Sequence, residues 1–305
     1  MKRAILCCVL LALLTMTPVL GQESTPAAES SGERSLTHDG LERTYLLHVP
    51  ASYDAATPAP LVLVLHPAGG TGRNMRDLSG FNALANDSGT IVAYPDGIDG
   101  VWDYLDIPVN RDPVVDDLGF LNAVLDEISA EFNIDASRIY VTGYSNGGLM
   151  TFRVGCELAD RLAAVAIIGA NMTYRLATDC ADGTMIPTLL ILGTQDEAFP
   201  WLGAMEVDNG NVYGSLSIAQ TTGFFATFGD CSGQPQQGEI THETSPVRVL
   251  SQSYTGCTND AEFILLGMVD AGHNWPSDVI VRLPSDSAGT IIDAVWTFFA
   301  AHTRE

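Results

Sequence analysis

Short apolar runs recur along most of the chain and alternate with segments whose apolar residues follow the period of a helix. The run PLVLVLH at 60–66 is almost continuously apolar, which is typical of a central strand buried on both faces. Residues 116–132 instead place their apolar side chains at helical spacing, which predicts an amphipathic helix. The same two patterns predict further strands at 43–49, 90–95, 138–143, 162–170, 185–194 and 262–269, and further helices at 145–159, 217–229 and 288–302.

This alternation indicates the fold class. Strands separated by helices form a mostly parallel sheet with helices on both faces, so we predict an α/β fold. No internal repeat and no second long linker divides the sequence, and we therefore expect a single domain over residues 39–305. Residues 22–38 are polar, contain Pro, Ser and Glu and lack periodicity, which predicts a flexible leader before that domain.

The N-terminus has the pattern of a targeting segment. A short basic start at Lys2 and Arg3 is followed by an apolar run that ends at the small residue Gly21. We interpret residues 1–21 as a secretory signal peptide and expect the mature protein to be extracellular or periplasmic. A membrane anchor is the alternative, which the short run and the polar segment after it disfavour.

Charge excludes several classes of partner. The chain carries 37 Asp and Glu against 14 Lys and Arg, a formal net charge of −23 at pH 7. Nucleic acids and anionic membranes repel such a surface, so we expect neither as a partner of the mature protein. We expect no cofactor and no metal ion, and we assume a monomer.

Four cysteines remain once the predicted signal peptide is removed, and they are Cys156, Cys180, Cys231 and Cys257. An even number in an exported chain predicts two disulfides. Three pairings are open, and proximity in the sequence favours 156 with 180 and 231 with 257. No two of these residues lie two to four positions apart, which disfavours a zinc site.

The segment Gly-Tyr-Ser-Asn-Gly at 143–147 joins a predicted strand to a predicted helix. Gly143 and Gly147 lack Cβ atoms, so the backbone can turn tightly there and present Ser145 at the tip. G-x-S-x-G in this context predicts a nucleophile elbow, with Ser145 as the nucleophile. The alternative is a serine that only caps the helix.

A serine nucleophile needs a histidine base and an acid that orients it, and in this topology both follow the serine along the chain. His273 lies in a glycine-containing loop directly after the predicted strand at 262–269, whereas His242 lies in a polar stretch and His302 ends the terminal helix. We therefore predict His273 as the base. Asp196 follows the strand at 185–194 by two residues and is our choice for the acid, with Glu197 as the reserve.

The tetrahedral intermediate of such a reaction needs hydrogen-bond donors for its oxyanion. One is expected to be the backbone N–H of Asn146, directly after the nucleophile. The other should come from the loop PAGGTG after the strand at 60–66. Pro67 has no N–H, so we predict the backbone N–H of Ala68.

Several segments together resemble one known family. Gly-Tyr-Ser-Asn-Gly at 143–147, Gly-His-Asn-Trp-Pro at 272–276 and the stretch around PLVLVLHPAGG are similar to the secreted polyhydroxybutyrate depolymerase and feruloyl esterase group of the α/β-hydrolases, often placed with carbohydrate esterase family 1. The resemblance covers the chain from about residue 39 onward. It implies the α/β-hydrolase fold, the triad Ser145, Asp196 and His273, and a disulfide between Cys231 and Cys257.

Two departures from the family pattern affect the expected site. The family usually has His-Gly where this chain has His66 and Pro67, which alters the oxyanion loop. Its Val-Pro-Tyr after the aspartate is replaced here by Phe-Pro-Trp at 199–201, which changes the pocket wall.

The resemblance implies a secreted serine carboxylesterase. Its substrates would be feruloyl or acetyl esters of plant cell-wall polysaccharide, or short polyhydroxyalkanoate esters. Aromatic side chains near the motif loops are candidates to stack on a ferulate ring or a sugar, with core packing as the equal alternative; they are Tyr144, Trp102, Trp201 and Trp275. A catalytically inactive binding protein and a peptidase on the same fold are the competing functions.

Overall fold

The computed structural model of the protein describes residues 31–105, 115–208 and 211–304. The predicted signal peptide, residues 1–21, lies outside these ranges. The strands are β1 (Gly32–His38), β2 (Leu41–His48), β3 (Ala59–Leu65), β4 (Ile91–Pro95), β5 (Ile134–Tyr144), β6 (Ala164–Ile168), β7 (Thr188–Gly193), β8 (Glu206–Asp208), β9 (Asn211–Tyr213), β10 (Gln236–Glu239), β11 (Val249–Tyr254), β12 (Phe263–Met268), β13 (Ile280–Arg282) and β14 (Ala288–Thr290). The α-helices are α1 (Gly72–Ser79), α2 (Phe81–Ser88), α3 (Asp117–Glu131), α4 (Asn146–Glu157), α5 (Tyr174–Asp179), α6 (Ile218–Phe228) and α7 (Ile291–Ala300).

A ten-stranded sheet organises the described part of the chain, in the order β1-β2-β4-β3-β5-β6-β7-β12-β11-β10. Neighbouring strands from β4 to β12 run parallel. The two outer strands at each end are added antiparallel. This arrangement, with helices on both faces, confirms the predicted fold class.

Residues of β3 show why the central strands are apolar throughout. Leu61, Leu63 and Leu65 pack into a core that contains α3, α4 and α6. Val62 and Val64 point to the other face and pack into a second core, which contains α1, α2 and α7. Successive side chains of a strand point to opposite faces, so a strand covered on both sides needs an unbroken apolar run.

The parallel register brings four loops to one edge of the sheet. Leu65 at the end of β3 is paired with Gly143 near the end of β5. Gly193 at the end of β7 is paired with Met268 at the end of β12. The loops that follow these strands carry the predicted oxyanion donor, nucleophile, acid and base, and they therefore leave the sheet on the same side.

The prediction of a flexible leader is wrong for residues 32–38. These residues form β1 and pair with β2 along their whole length. Within β1, the residues that turn toward the protein alternate with exposed ones, as in a half-buried strand. Asp39 and Gly40 both have positive φ, 48° and 77°, and close the hairpin. An Asp-Gly pair is a strong hairpin signal, and it marks this turn in the sequence. Residues 22–30 lie outside the described part of the chain.

Candidate active site

Ser145 lies at the turn between β5 and α4, with φ 56° and ψ −117°. Such a backbone is costly for a residue with a side chain, by about 1–3 kcal/mol, and its surroundings must impose it. The N–H of Ser145 donates to the carbonyl of Ile168 at 2.9 Å, and the carbonyl of Ser145 accepts from Leu149 at 3.0 Å. These two bonds fix the turn to the neighbouring strand and to the helix, so Ser145 projects from a rigid point.

The two glycines of the motif are required by close backbone approaches. A Cβ atom on Gly143 would lie 2.3 Å from the carbonyl oxygen of Gly147. A Cβ atom on Gly147 would lie 2.5 Å from the carbonyl oxygen of Leu65 and 2.6 Å from that of His66. Both distances are far below a van der Waals contact, so only glycine lets the elbow press against the end of β3.

His273 links the serine to the acid. Its Nε2 lies 3.0 Å from Oγ of Ser145, and its Nδ1 lies 2.8 Å from Oδ2 of Asp196. Because an ionised carboxylate only accepts hydrogen bonds, Nδ1 carries the proton, and Nε2 is left to accept from the serine hydroxyl. The structure thus brings the three predicted residues into one hydrogen-bonded chain.

Asp196 is buried, with 3% of its surface exposed, while Glu197 beside it is exposed. The Oδ1 atom of Asp196 accepts from the N–H groups of Ala198 at 2.9 Å and Phe199 at 2.8 Å. These bonds hold the carboxylate in place and leave Oδ2 for the imidazole. The geometry therefore favours Asp196 over Glu197 as the partner of His273.

The acid loop and the histidine loop are bonded to each other. Thr194 donates its N–H to the carbonyl of Met268, and Gln195 donates its N–H to the carbonyl of Ala271, each at 2.9 Å. Asp270 in turn donates its N–H to Oγ1 of Thr194 at 2.9 Å. The separation of the acid from the histidine is therefore set by backbone bonds rather than by the two side chains alone.

Aromatic rings contact the imidazole of His273. Tyr144 stacks on it with a centroid distance of 5.2 Å and an interplanar angle of 22°. The ring of Phe199, which is partly exposed, has its centroid 5.8 Å from that of the imidazole, at an interplanar angle of 41°. Burial raises the pKa of Tyr144 to about 12, so its phenol stays neutral at ordinary pH. Phe199 was not among the predicted substrate-contact residues, although the segment Phe-Pro-Trp at 199–201 was expected to change the pocket wall.

The predicted oxyanion donors lie on two segments that touch. Asn146 is the first residue of α4, where a backbone N–H has no intrahelical acceptor. Ala68 is exposed, and among the described residues its N–H has no hydrogen-bond acceptor. Pro67 accepts from the N–H of Gly70 at 3.0 Å, so the loop turns tightly after the proline. Both N–H groups are thus available to a ligand.

The four predicted aromatic contacts with substrate do not share one environment. Trp102 is 1% exposed and has no face open to a ligand, so its prediction as a stacking residue is wrong. Trp275 and Tyr144 are each 8% exposed. Their rings pack edge to face, with centroids 5.6 Å apart and an interplanar angle of 77°. Trp201 is partly exposed and lies against Gly267 of β12. Trp102 is therefore packed in the core, and Trp275 and Tyr144 have little free surface.

Both disulfides have the pairing that proximity in the sequence favoured, Cys156 with Cys180 and Cys231 with Cys257. The first ties the end of α4 to the end of α5. Disulfides persist in oxidising surroundings, which fits an extracellular protein. No helix in the described ranges combines the length and the apolar character that crossing a bilayer requires.

One group of potential metal ligands occurs in the described part of the chain, formed by His38, Asp39 and Asp116. It lies at the β1–β2 turn and the start of α3, and it includes no triad residue. Asp116 accepts from the N–H of Gly119 at 2.8 Å, as a helix cap does, and its other oxygen lies 2.9 Å from Nε2 of His38. Helix capping and a side-chain hydrogen bond account for these contacts.

The fold and this site define a class, the α/β-hydrolases with a serine, histidine and aspartate in hydrogen-bonded order. No protein-family model matches the chain. Feruloyl esterase C of Emericella nidulans is 28% identical over 309 residues, which cover 99% of this chain and 100% of that protein. Feruloyl esterase B of Piromyces equi is 28% identical over 202 residues, which cover 64% of this chain and 37% of that protein.

Solved structures agree on the fold. The acetyl xylan esterase from Aspergillus awamori has a TM-score of 0.60 at 16% identity, over 88% of this chain and 99% of that one. The CE1 ferulic acid esterase from Anaeromyces mucronatus has a TM-score of 0.52 at 13% identity, over 89% and 90% of the two chains. The chain therefore has the α/β-hydrolase fold, and its similarity to feruloyl and acetyl xylan esterases supports a carboxylic ester hydrolase.

Proposed function

We propose that the protein is an exported serine esterase that releases hydroxycinnamic acids such as ferulic acid from plant cell-wall polysaccharide. The observation that carries the mechanism is the chain of two hydrogen bonds from Ser145 through His273 to Asp196. The full-length similarity to a feruloyl esterase supports the choice of acyl group. The partly exposed ring of Phe199 beside His273 offers an aromatic surface where an aromatic acyl group would lie.

Acylation follows from the positions of the three side chains. Oγ of Ser145 attacks the ester carbonyl carbon while its proton moves to Nε2 of His273. The resulting oxyanion accepts hydrogen bonds from the N–H groups of Asn146 and Ala68, each worth about 10²–10³ in rate. The intermediate then expels the alcohol, which takes the proton from His273, and the acyl group stays on Ser145.

Deacylation repeats these steps with water. His273 removes a proton from a water molecule as the water oxygen attacks the acyl carbon. The second intermediate collapses, the carboxylic acid leaves, and Oγ of Ser145 recovers its proton. Asp196 keeps the imidazole in the orientation and tautomer that both steps require, and it stabilises the imidazolium that forms between them.

A substrate panel tests this function. We expect turnover of methyl ferulate, with lower kcat/KM on acetylated xylan and on hydroxybutyrate oligomers. Faster cleavage of hydroxybutyrate oligomers would instead make the protein a depolymerase, the other activity that the sequence resemblance implies. Cleavage of an aminoacyl anilide without cleavage of aryl esters would indicate a peptidase, and no turnover of any ester would indicate a binding protein.

The nucleophile is tested separately from the substrate. Ser145→Ala should abolish both ester turnover and covalent labelling by a fluorophosphonate probe. Ser35→Ala, at an exposed position on β1, is the matched control and should leave both unchanged. Labelling that persists in Ser145→Ala would show that another residue is the nucleophile.

Export and assembly complete the proposal. We infer that residues 1–21 direct secretion and are removed, so N-terminal sequencing of protein recovered from the medium should begin near residue 22. We also infer a monomer, which light scattering of the purified protein would test.

A further inference from the structure

The side chain of Asn146 is bonded to a loop that the proposed mechanism does not use. Its Oδ1 accepts from the backbone N–H of Trp102 at 2.7 Å, and its Nδ2 donates to the carbonyl of the same residue at 3.2 Å. This pair of bonds needs one donor and one acceptor on a short planar group, which only an amide of this length supplies. The residue that follows the nucleophile is thus fixed to residues 97–102, here named the strut loop.

The strut loop is also bonded to the loop that carries Ala68. Nε1 of Trp102 donates to the carbonyl of His66 at 3.0 Å, and the indole is 1% exposed. The N–H of Gly69 donates to the carbonyl of Gly100 at 2.8 Å. Residues on both sides of Ala68 are therefore held by the same short loop that holds Asn146.

His66 joins the same network, and it is fully buried. Its Nε2 accepts from the N–H of Gly97 at 2.9 Å, and its Nδ1 donates to the carbonyl of Pro67 at 2.8 Å. One nitrogen accepts and the other donates, so the ring is a neutral imidazole with a fixed tautomer. His66 thereby fastens the strut loop to Pro67, directly before the proposed donor Ala68.

These contacts form a continuous path of bonds, here named the circuit, from one oxyanion donor to the other. It runs from the Asn146 side chain to the backbone of Trp102, through the indole to His66, and on to Pro67 and Ala68. Oxyanion stabilisation depends on donors that are already in place when charge develops, and a displacement of about 1 Å can cost about 10²-fold in rate. A bonded connection between the two donors therefore keeps the distance between their N–H groups constant.

We propose that the Asn146 amide and the Trp102 indole are positioning residues that fix the two oxyanion donors relative to each other. The inference rests on the proposed function and adds residues that act through their side chains, which touch neither the substrate nor the triad. It also assigns Trp102 a role in place of the stacking contact predicted from the sequence.

Two substitutions test the circuit without removing a backbone donor. Asn146→Ala keeps its N–H and loses both bonds to Trp102, and we expect kcat on an aryl ester to fall about 10–100-fold with KM changed less than about threefold. Trp102→Phe keeps an aromatic ring and loses the bond to His66, and we expect a fall of about 3–30-fold in kcat. The double variant should lose less than the product of the two effects, because both substitutions interrupt one circuit.

Inhibitor binding separates positioning from a general loss of structure. An aryl trifluoromethyl ketone forms a tetrahedral adduct whose oxyanion occupies the hole, whereas the product acid makes no such adduct. In Asn146→Ala, the inhibition constant of the ketone should rise in proportion to the fall in kcat/KM, and that of the product acid should stay within about twofold. Rates are to be given per active site titrated with a phosphonate, so that unfolded protein does not contribute.

Asn82→Ala is the matched control, because Asn82 is a partly buried amide that accepts from the hydroxyl of Tyr94 at 2.7 Å outside this circuit. It should lower stability while leaving kcat per titrated site unchanged. An Asn146→Ala enzyme with unaltered kcat per titrated site and unaltered affinity for the ketone overturns the inference. That result differs from a failure of the proposed function, in which Ser145→Ala would still hydrolyse esters.

Discussion

Nε2 of His273 lies 3.0 Å from Oγ of Ser145, although 128 residues separate the two in the sequence. The contact exists because β5 and β12 belong to the parallel part of one sheet and end at the same edge. Around it, backbone bonds fix the serine turn to a neighbouring strand and helix, and a separate set of bonds fixes the acid loop to the histidine loop. The site is therefore built on rigid elements, and several of its supports can be tested one at a time.

Asp196→Asn should leave the shape of the site intact and lower kcat by about 10⁴-fold, because an amide permits the wrong tautomer of His273. Steady-state kinetics on an aryl ester measure the effect. Glu197→Gln, the neighbouring exposed position, is the control and should stay within about twofold of the parent enzyme. Equal losses in both variants would show that Glu197 shares the role assigned to Asp196.

Removing one partner of a buried ion pair should cost more stability than removing one partner of an exposed pair. Arg43 and Asp117 are 1% and 0% exposed, and the carboxylate of Asp117 also accepts from the N–H of Asp103 at 2.6 Å. Asp117→Asn leaves the buried guanidinium without this carboxylate, and we expect a loss of about 3–5 kcal/mol in the free energy of unfolding. Chemical denaturation measures it.

The exposed pair of Arg34 and Glu131 provides the comparison for that experiment, with side chains 27% and 43% exposed. Glu131→Gln should cost less than about 1 kcal/mol, because water screens the charges and solvates the released arginine. Similar losses in Asp117→Asn and Glu131→Gln would contradict the expectation that breaking the buried pair costs more than breaking the exposed one.

The disulfide between Cys156 and Cys180 closes a loop with a sequence separation of 24. On the chain-entropy model, replacing both cysteines by alanine should lower the free energy of unfolding by about 3 kcal/mol. Neither residue contacts the triad, so kcat at a temperature well below the melting point should not change. A marked fall in kcat with little change in stability would place this bridge in the catalytic site instead.

His302 should make stability depend on pH. Burial alone would lower its pKa, but the hydrogen bond to Glu262, the bond to the carbonyl of Phe298 and the charge of Glu262 together raise the pKa above its ordinary value. Nε2 lies 3.1 Å from Glu262 and Nδ1 lies 2.7 Å from that carbonyl, so both nitrogens are placed to donate. The folded protein thus favours the imidazolium.

Because the folded state holds this proton more tightly, its stabilisation is complete below the ordinary histidine pKa and disappears as pH rises through the raised value. His302→Gln should therefore lower the melting temperature more at about pH 5.5 than at about pH 8.5. Calorimetry at the two pH values measures the difference. A larger loss at the alkaline pH would mean that burial outweighs Glu262.

The period of the apolar residues was sufficient to predict the central strands and the main helices. An unbroken apolar run such as that of β3 is needed only where both faces of a strand are covered, and helical spacing is needed only where one side is. The hairpin of β1 and β2 was not predicted from this period. Its first strand is polar on its outer face, and the Asp39-Gly40 turn is a local signal that periodicity does not detect.

The sequence by itself determined the fold class, the elbow at Ser145 and the order of the residues proposed to act with it. These features depend on local chemistry: residue period, glycine at forced close approaches and the chain position of loops after strands. Only the tertiary structure decided which aromatic rings are buried, that Asp196 rather than Glu197 faces His273, and that Asn146 is bonded to Trp102. Those relationships join segments distant in the chain, and their distances depend on how the packed layers bring the segments together.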